Sequence, residues 1–391
     1  MKRSTNRILT THVGSISRPA DLFAVIAAKE TGKSYDKAAL SARVKHAVQE
    51  VVRRQAECGI DIVNDGEQSK PSFNGYVLER LEGFKSSPAP TAGVPWAGSR
   101  ERASFPEFYD WIEESARIGR VSLPQWVCTG PVRYRGADAV ENDLANLKAA
   151  LEGVAVEEAF IPAIASTYVA SSRKNEYYRT EEEYQTALAD AMREEYKAII
   201  DAGFVVQIDD PRLVTYYALN PDVSIKDCRK WAEKRVEMIN YATQGIAQDR
   251  IRFHTCYSID VGPRVHDMEL KDIVDIVLKV RAGAYSFEAS NPRHEHEWSV
   301  WKDVKVPDGT VLIPGVITHT TNLVEHPDLV SERIQRFAQV VGRENVIAGA
   351  DCGFAAGALA NQLIHPTVVW AKFQALAEGA RRASKVLWRS H

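Results

Sequence analysis

Cysteine is scarce in this sequence: there are five in 391 residues, an odd number. Secreted domains that depend on disulfides are small and rich in cysteine, so a disulfide framework is excluded. Free thiols are typical of a reducing compartment, and we expect a cytoplasmic location. A secretory signal is not expected, because the basic start of the chain is followed by only a short apolar run before Thr10.

Long apolar runs and an excess of positive charge are also missing. No run approaches the ~20 apolar residues that a bilayer-spanning helix requires, so we expect no membrane partner. The chain has 49 basic and 52 acidic residues and a net charge of −3, which argues against nucleic acid as a partner. Gly-x-Gly-x-x-Gly and Walker sequences do not occur, so the common phosphate-binding loops are excluded. The remaining composition, 45% hydrophobic and 26% charged, is that of an ordinary globular protein.

Short apolar runs alternate along the chain with longer helical patterns, which predicts parallel βαβ units. Nine runs have the character of strands: residues 8–15, 60–63, 127–130, 159–165, 205–208, 251–256, 285–287, 311–316 and 345–349. We predict an α/β fold, a (β/α)8 TIM barrel, with residues 1–391 as a single catalytic domain. Since a barrel uses eight strands, either 8–15 or 127–130 should lie outside it or be broken. A doubly wound sheet is the alternative, but its polar residues would gather only near the switch point.

Helical periodicity recurs between these runs. The predicted helices cover residues 40–59, 138–153, 180–202, 224–244, 271–280, 329–341 and 366–387, with a further helical turn in 76–84. The helix at 180 opens with a capping box formed by Thr180 and Glu183. Residues 85–125 combine Pro, Ser and Gly with several aromatic residues, and we predict an irregular insertion that packs over the barrel.

Metal-ligand side chains follow three of the predicted strands. His254 and Cys256 are two residues apart, so they point to the same face of a strand. Glu288 and Cys352 each end another apolar run. A His-x-Cys pair alone is weak support for a metal, because buried cysteine often only packs, and spacing does not prove that the strand ends meet. Together the four residues predict a tetrahedral zinc site with N, S and O donors.

Several sequence blocks, in the same order, resemble the zinc-binding half of cobalamin-independent methionine synthase. Beyond the four ligand-type residues, TTHVGS at 10–15 resembles the family's Thr-Ile-Gly-Ser opening. NDGE at 64–67 resembles its Gly-Glu loop, and QIDDP at 207–211 resembles its Gln-Ile-Asp-Glu-Pro strand end. The blocks extend from residue 10 to residue 353, over most of the chain. The resemblance implies the barrel of the methionine synthase and uroporphyrinogen decarboxylase superfamily, a Zn²⁺ cofactor, and homocysteine bound at the matching positions.

The chemistry that these residues allow is alkylation of a thiol. Zinc converts a bound thiol to a thiolate, and Glu288 is the ligand expected to give way, since a carboxylate is a harder donor than a thiolate. Glu67 and Asp209 would pair with the ammonium group of an amino-acid thiol, and Ser15 with its carboxylate. His319, after the next strand, is a candidate acid for the leaving group. The plainer interpretation of each acid is a salt bridge or a helix cap at the barrel end.

Other histidines receive no role in the reaction. His12 is expected to orient its neighbours. His294, His296 and His326 lie in polar stretches of sequence and are expected on solvated loops.

The sequence departs from the family in ways that leave the donor open. Methionine synthase has a second barrel that helps to hold its folate donor, and this chain has room for only one. The methyl donor is therefore expected to be either a methylated folate or a corrinoid protein. Alternative functions are an epoxyalkane:coenzyme M transferase-like alkylation of another thiol, a non-catalytic zinc-binding protein, and a metal-free decarboxylase of related fold. The sequence does not determine the oligomeric state, and a homo-oligomer is one of the possible states.

Overall fold

The computed structural model describes residues 1–87, 96–116, 125–258, 262–355 and 364–389. Its strands are β1 Leu9–Thr10, β2 Ile62–Val63, β3 Phe84–Ser87, β4 Gln125–Cys128, β5 Glu158–Ile164, β6 Lys174–Asn175, β7 Val205–Asp209, β8 Ile251–His254, β9 Ala284–Phe287, β10 Val311–Ile317 and β11 Ile347–Ala350. Its α-helices are α1 Ala20–Glu30, α2 Lys37–Glu57, α3 Val77–Arg80, α4 Arg100–Ser104, α5 Pro106–Ala116, α6 Ala137–Ala150, α7 Ser166–Ser172, α8 Glu181–Asp201, α9 Arg212–Leu219, α10 Ile225–Ala242, α11 Val274–Val277, α12 Pro327–Val341 and α13 Pro366–Leu387.

Eight parallel strands of the described chain form one sheet in the order β1-β11-β10-β9-β8-β7-β5-β2. A parallel bridge between Thr11 and Ile62 joins the two edges, so the sheet closes on itself. Helices surround it, and the predicted (β/α)8 barrel is confirmed. Of the two runs that could lie outside the barrel, 127–130 does so, whereas β1, from the run 8–15, is part of the barrel. β4 instead pairs antiparallel with β3 and parallel with β6 in a small separate sheet, because the chain leaves the barrel after β2 and returns only at β5.

Two layers of apolar side chains support the barrel. Most of the buried apolar residues form one large cluster between the strands and the helices. A second, separate cluster takes one or two residues from most of the strands: Leu9, Ile62, Phe160, Val205, Ala284, Val311, Ile313 and Ile347. These residues lie at or near the amino-terminal ends of their strands, so they fill the barrel below the polar residues that follow the strands. The carboxyl-terminal face is therefore left to carry function.

Most of the predicted long helices are present. The helix predicted at 271–280 is wrong: the chain there forms a 3-10 turn at Leu270–Asp272 and the single turn α11. β-Branched residues dominate this stretch and lower its helix propensity. In addition, the Asn240 side chain accepts a hydrogen bond from Arg281 N at 2.7 Å and donates one to Lys279 O at 2.9 Å, which holds the chain in a turn. Helices α1, α7 and α9 were not predicted.

The insertion at 85–125 is more regular than the sequence suggests. Its described part contains α4 and α5 as well as residues of β3 and β4. The described part packs over the barrel face, as predicted. The Arg100 guanidinium donates to the carbonyls of Tyr217 at 3.0 Å and Val223 at 2.7 Å, and the Glu101 carboxylate accepts from Arg264 N at 3.1 Å.

No helix in the described part of the chain combines the length and the apolar character needed to cross a membrane.

The predicted capping box of α8 is a local test of the fold. Thr180 Oγ1 accepts a hydrogen bond from Glu183 N at 3.1 Å, and Glu183 Oε2 accepts one from Arg179 N at 3.0 Å. Thr180→Ala should lower the free energy of unfolding by about 1 kcal/mol, because the amide of Glu183 loses its partner. Thr180→Ser keeps the hydroxyl and should remain close to wild type. Urea denaturation of the three proteins measures the difference, and equal losses in both variants would contradict the capping role.

Candidate functional site

Three of the four predicted metal ligands meet at the carboxyl-terminal face of the barrel. His254 ends β8, Cys256 follows it by two residues, and Cys352 follows β11 by two. The ligand atoms of the three side chains all lie within 4.8 Å of one another, and the two sulfurs are 3.1 Å apart. All three residues are buried. One nitrogen and two sulfurs at this separation form a donor set that suits zinc.

The imidazole of His254 has a ring nitrogen that is free to bind a metal ion. Its Nδ1 lies 3.2 Å from Ser286 Oγ, whereas its Nε2 is buried without a hydrogen-bond partner. Burial, together with the charge of Arg252, lowers the pKa of His254 to about 3. The ring is therefore neutral at physiological pH, and with Nδ1–H donating to Ser286 its Nε2 lone pair is available. An unpartnered nitrogen in this position fits a metal ligand and would be costly as a purely structural feature.

The Cys352 thiol of the cluster holds its proton when no cation is present. The hydrogen bond with Cys256 and burial raise the pKa of the Cys352 thiol well above its usual range. A divalent cation reverses this preference, because a coordinating thiol loses its proton. The cluster is therefore suited either to a proton or to a metal ion.

Glu288, the fourth predicted ligand, lies beside this cluster but is not one of its three members. Its Oε1 accepts a hydrogen bond from Tyr257 N at 2.7 Å, and its Oε2 accepts from Arg264 Nη2 at 3.0 Å and from Asn291 Nδ2 at 2.8 Å. These contacts hold the carboxylate without a metal ion. Coordination by Glu288 thus stays a prediction, and it would require the carboxylate to give up some of these partners.

A buried charge network extends from Glu288 away from the cluster. Arg264 Nε also donates to Asp267 at 2.9 Å, and His294 lies 3.0 Å from Asp267 and 2.8 Å from Glu297. Burial disfavours the charge on His294, but the two carboxylates outweigh it and raise its pKa to about 9.

The solvated loop predicted for His294 is therefore wrong. The residue is buried, and its ring stacks on Tyr257 with centroids 3.9 Å apart. Sequence reasoning missed this network, although its i,i+3 pairs, Arg264 with Asp267 and His294 with Glu297, were a usable signal.

A cavity of about 240 Å³ connects the cluster with the residues predicted to hold the substrate. Ser15, Glu67 and Asp209 line it together with His254, Cys256 and Cys352. The remaining lining is largely apolar and aromatic, from Phe73, Trp96, Tyr168, Pro211 and Leu219, with Arg212 as the added cation. The structure thus brings the two predicted sets of residues into one pocket, which we call the thiol pocket.

The two acids of the thiol pocket are held close together in a poorly solvated place. Burial, and then the nearby charge of Glu67, raise the pKa of Asp209 well above its usual range, although Gln207 Nε2 donates to Asp209 Oδ1 at 2.8 Å. Glu67 Oε2 is buried without a hydrogen-bond partner. Glu67 also adopts a left-handed φ of 55°, and Arg18 Nη2 donates to its carbonyl oxygen at 2.6 Å. Two buried acids in this arrangement suit a cationic group.

Ser15 lies against the loop that carries Cys352. A Cβ atom added to Gly353 would lie 2.1 Å from Ser15 Oγ, and Phe354 N donates to Ser15 O at 2.9 Å. Only glycine at 353 allows this approach, so the carboxylate-binding candidate and the metal-binding candidate depend on the same close contact.

His319 is buried near the cluster but is not among the residues that line the thiol pocket. Its Nε2 is 3.1 Å from Ser258 O, so this nitrogen carries the proton and donates it, while Nδ1 is buried without a partner. In this arrangement its free lone pair is on Nδ1. The role of His319 as an acid stays a prediction.

The sequence of this chain is similar to those of known proteins. The sequence profile of the family described as "Cobalamin-independent synthase, Catalytic domain" matches residues 132–364, more than half of the chain. Methionine synthase of Sulfolobus acidocaldarius is 25% identical over 88% of this chain and 85% of its own length. Methionine synthase of Saccharolobus solfataricus is 23% identical over 97% of this chain and 96% of its own length.

Solved structures agree in fold. A B12-independent methionine synthase from Shewanella sp. W3-18-1 superposes with a TM-score of 0.70 at 19% identity, covering 97% of this chain and 99% of that one. A putative vitamin-B12 independent methionine synthase from Listeria monocytogenes superposes with a TM-score of 0.65 at 17% identity, covering 98% of this chain and 100% of that one. The resemblance inferred from the sequence blocks is confirmed, and the chain belongs to the cobalamin-independent methionine synthase family of methyltransferases.

Proposed function

We propose that the protein is a zinc-dependent methyltransferase that transfers a methyl group to the sulfur of homocysteine and forms methionine. One observation carries the proposal: a single pocket has a two-sulfur, one-nitrogen donor set at one end and a pair of buried acids at the other. An amino-acid thiol has a sulfur and an ammonium group to match. The archaeal relatives are named methionine synthases, and the chain spans most of their length.

His254, Cys256 and Cys352 would hold the zinc ion, with Glu288 as the fourth, displaceable ligand. The ion would bind the substrate thiol, lower its pKa from about 8.5 and hold the sulfur ready for attack. Arg264, which donates to Glu288 Oε2 at 3.0 Å, would be a partner for the Glu288 carboxylate whenever it does not hold the ion. The buried network behind Arg264 keeps that guanidinium in place.

The rest of the substrate would be held by the residues across the pocket. Asp209 and Glu67 would receive the ammonium group, whose positive charge favours ionisation of Asp209. Ser15, with the backbone beside it, would bind the carboxylate. These contacts fix the direction of the sulfur relative to the pocket mouth, where the methyl donor must approach.

Methyl transfer itself is an in-line displacement. The substrate sulfur forms a bond to the methyl carbon as the bond between that carbon and the donor breaks, and the leaving group takes the electron pair. His319 is our candidate for supplying a proton to that group. A methylated folate or a corrinoid protein would present its methyl group beside the apolar and aromatic part of the lining, which includes Phe73, Tyr168 and Leu219.

The other functions fit the pocket less well. Coenzyme M carries a sulfonate and no ammonium group, so two buried acids would repel it. A zinc-storage protein has no need of a substrate cavity beside its ligands. We also propose a reducing, cytoplasmic compartment, because all five cysteines are buried and free and two of them are needed as thiolates.

The zinc site is tested by metal analysis. Wild-type protein should contain about one zinc ion per chain, and Cys256→Ser and Cys352→Ser should each lose most of it, because a hydroxyl is a poor zinc ligand. Cys58→Ser, which changes a cysteine far from the cluster, should keep the metal. Circular dichroism should show an intact fold in all three variants. Unchanged zinc in both cluster variants would rule out the proposed site.

The ammonium receptor is tested with Asp209→Asn. The variant should bind homocysteine more weakly by about 2–5 kcal/mol, because one partner of a buried charge-assisted contact is removed. Zinc content should not change, which separates this effect from loss of the metal site. A wild-type affinity for homocysteine in the variant would remove the main support for an amino-acid thiol as substrate.

The same variant should stabilise the metal-free protein. The unfolded chain loses the Asp209 proton near pH 4, but the folded chain keeps it to a higher pH, so its stability falls as the pH rises through that window. Asp209→Asn removes this dependence. Denaturation curves with a chelator present should show the variant to be more stable than wild type at neutral pH, with the difference disappearing toward pH 4. A variant that is less stable at neutral pH would contradict the buried, protonated state of Asp209.

Thiol activation is tested by X-ray absorption at the zinc edge. Homocysteine should add a sulfur scatterer at about 2.3 Å, while an oxygen scatterer leaves or lengthens. A weakly buffered titration should show a released proton that saturates together with the spectral change. Coenzyme M serves as the comparison thiol. A spectrum that neither thiol alters would contradict both transferase functions, and a change with coenzyme M alone would overturn the choice of homocysteine.

A further inference from the structure

A second cavity, of about 670 Å³, lies on the outside of the barrel between the loop after β1, helix α2 and the start of α13. We call it the outer pocket. Its polar and aromatic lining consists chiefly of Ser17, Arg18, Arg53, Arg54, Gln68 and Trp370. It shares no described lining residue with the thiol pocket, and nothing in the proposed reaction uses it.

Arg18 is the unusual residue of the outer pocket. Its side chain is almost fully buried, with 5% exposed. Nη2 donates to the carbonyl oxygens of Glu67 and Lys70, but Nε and Nη1 are buried without a hydrogen-bond partner. A guanidinium cannot shed its proton at physiological pH, so two unpaired N–H groups in a buried position carry a large desolvation cost. A ligand oxygen that accepts from one of these groups would reduce that cost.

Two further residues that line the cavity have unpaired polar atoms. Ser17 Oγ is buried and has no partner. The Gln68 amide donates to Ile16 O at 3.1 Å and to Gly66 O at 3.2 Å, which leaves its Oε1 buried and unpartnered. The pocket thus offers donors from Arg18, a hydroxyl and one neutral acceptor.

The electrostatic balance of the outer pocket favours an anion. Arg53 and Arg54 lie at its exposed edge, and the Arg54 guanidinium stacks over Trp370 at 4.4 Å from the ring centroid. Glu50 is the one acid among the described lining residues, and Arg43 Nη1 pairs with it at 3.3 Å. Helix α1, eleven residues long, begins at Ala20 beside Arg18 with no side-chain cap, so its amino-terminal end adds to the positive potential.

We propose that the outer pocket binds a small oxyanion that also carries a hydrogen-bond donor, such as singly protonated phosphate or a hydroxy carboxylate. One of its oxygens accepts from an unpaired N–H group of Arg18, and its hydroxyl donates to Gln68 Oε1. Arg53 and Arg54 attract the anion from solvent. Because Arg18 also holds the carbonyl of Glu67, the bound anion stiffens the loop between β2 and α3.

Isothermal titration calorimetry tests the site with inorganic phosphate and with malate, and acetate serves as an oxyanion without a donor. Wild-type protein should bind phosphate or malate saturably and bind acetate at least several-fold more weakly. Arg18→Met should weaken binding about tenfold or more, because a charge-assisted hydrogen bond and a buried positive charge are lost. Binding of acetate as tight as that of the other two anions would overturn the role of Gln68, and no saturable binding of phosphate or malate would overturn the site.

Two further variants keep the test valid if Arg18→Met does not fold. The double variant Arg53→Ala/Arg54→Ala changes only exposed guanidinium groups and should weaken binding several-fold, with a loss that shrinks as salt is raised. Lys45→Ala removes one exposed charge from the same helix, outside the pocket, and should bind as wild type does. Equal affinities in the double variant, Lys45→Ala and wild type would overturn the proposal.

Discussion

The in-register parallel pairing of β7, β8 and β9 is the constraint on which the site depends. Asp209 pairs with His254 across the first two strands, and His254 pairs with Ser286 across the next two. This register places an acid, an imidazole and the hydroxyl that orients the imidazole in one row. A slip of one residue in any of these pairings would turn the side chains to the other face of the sheet. The apolar layer below the row fills the barrel interior and thereby maintains the register.

Charge in this protein is buried in two different ways. Around Glu288, carboxylates alternate with Arg264 and His294, so each charge has an opposite partner within hydrogen-bond distance. Around Asp209 and Glu67 the acids face a cavity, while the nearest buried cations are occupied elsewhere: Arg252 donates to Thr11 Oγ1 at 2.9 Å, and Lys70 donates to Pro162 O at 2.6 Å. A paired network stabilises a geometry, whereas unpaired acids leave affinity available for a ligand. The paired network around Glu288 is thus suited to stabilising the strand ends, whereas Asp209 and Glu67 are suited to binding a ligand.

The barrel, the eight strands and the residues at the strand ends could be predicted because they depend on local patterns. Alternation of strands and helices determines the topology, and a parallel barrel brings all carboxyl-terminal strand ends to one face. The environment of Glu288 could not be predicted, since Arg264 and Asn291 reach it from loops whose paths no periodicity encodes. The solvated loop predicted for His294 was wrong for a similar reason. A polar stretch of sequence indicates exposure only when its residues do not pair with one another. Helices α1, α7 and α9 lack strong amphipathic signals over a sufficient length.

The closure of the barrel brings the loops after its first and last strands together beside the cluster. Ser15 lies in the loop after the first strand and packs against Gly353, which follows the last strand and comes directly after Cys352. During synthesis the cluster and the Ser15 contact therefore remain incomplete until the chain has been made past Gly353. A chain that stops before Cys352, even one with most of the barrel, would lack one of the two cluster thiols and the support of Ser15 together. Such fragments should accordingly be inert toward thiols, and damage to the last strand should affect the cluster as directly as damage within it.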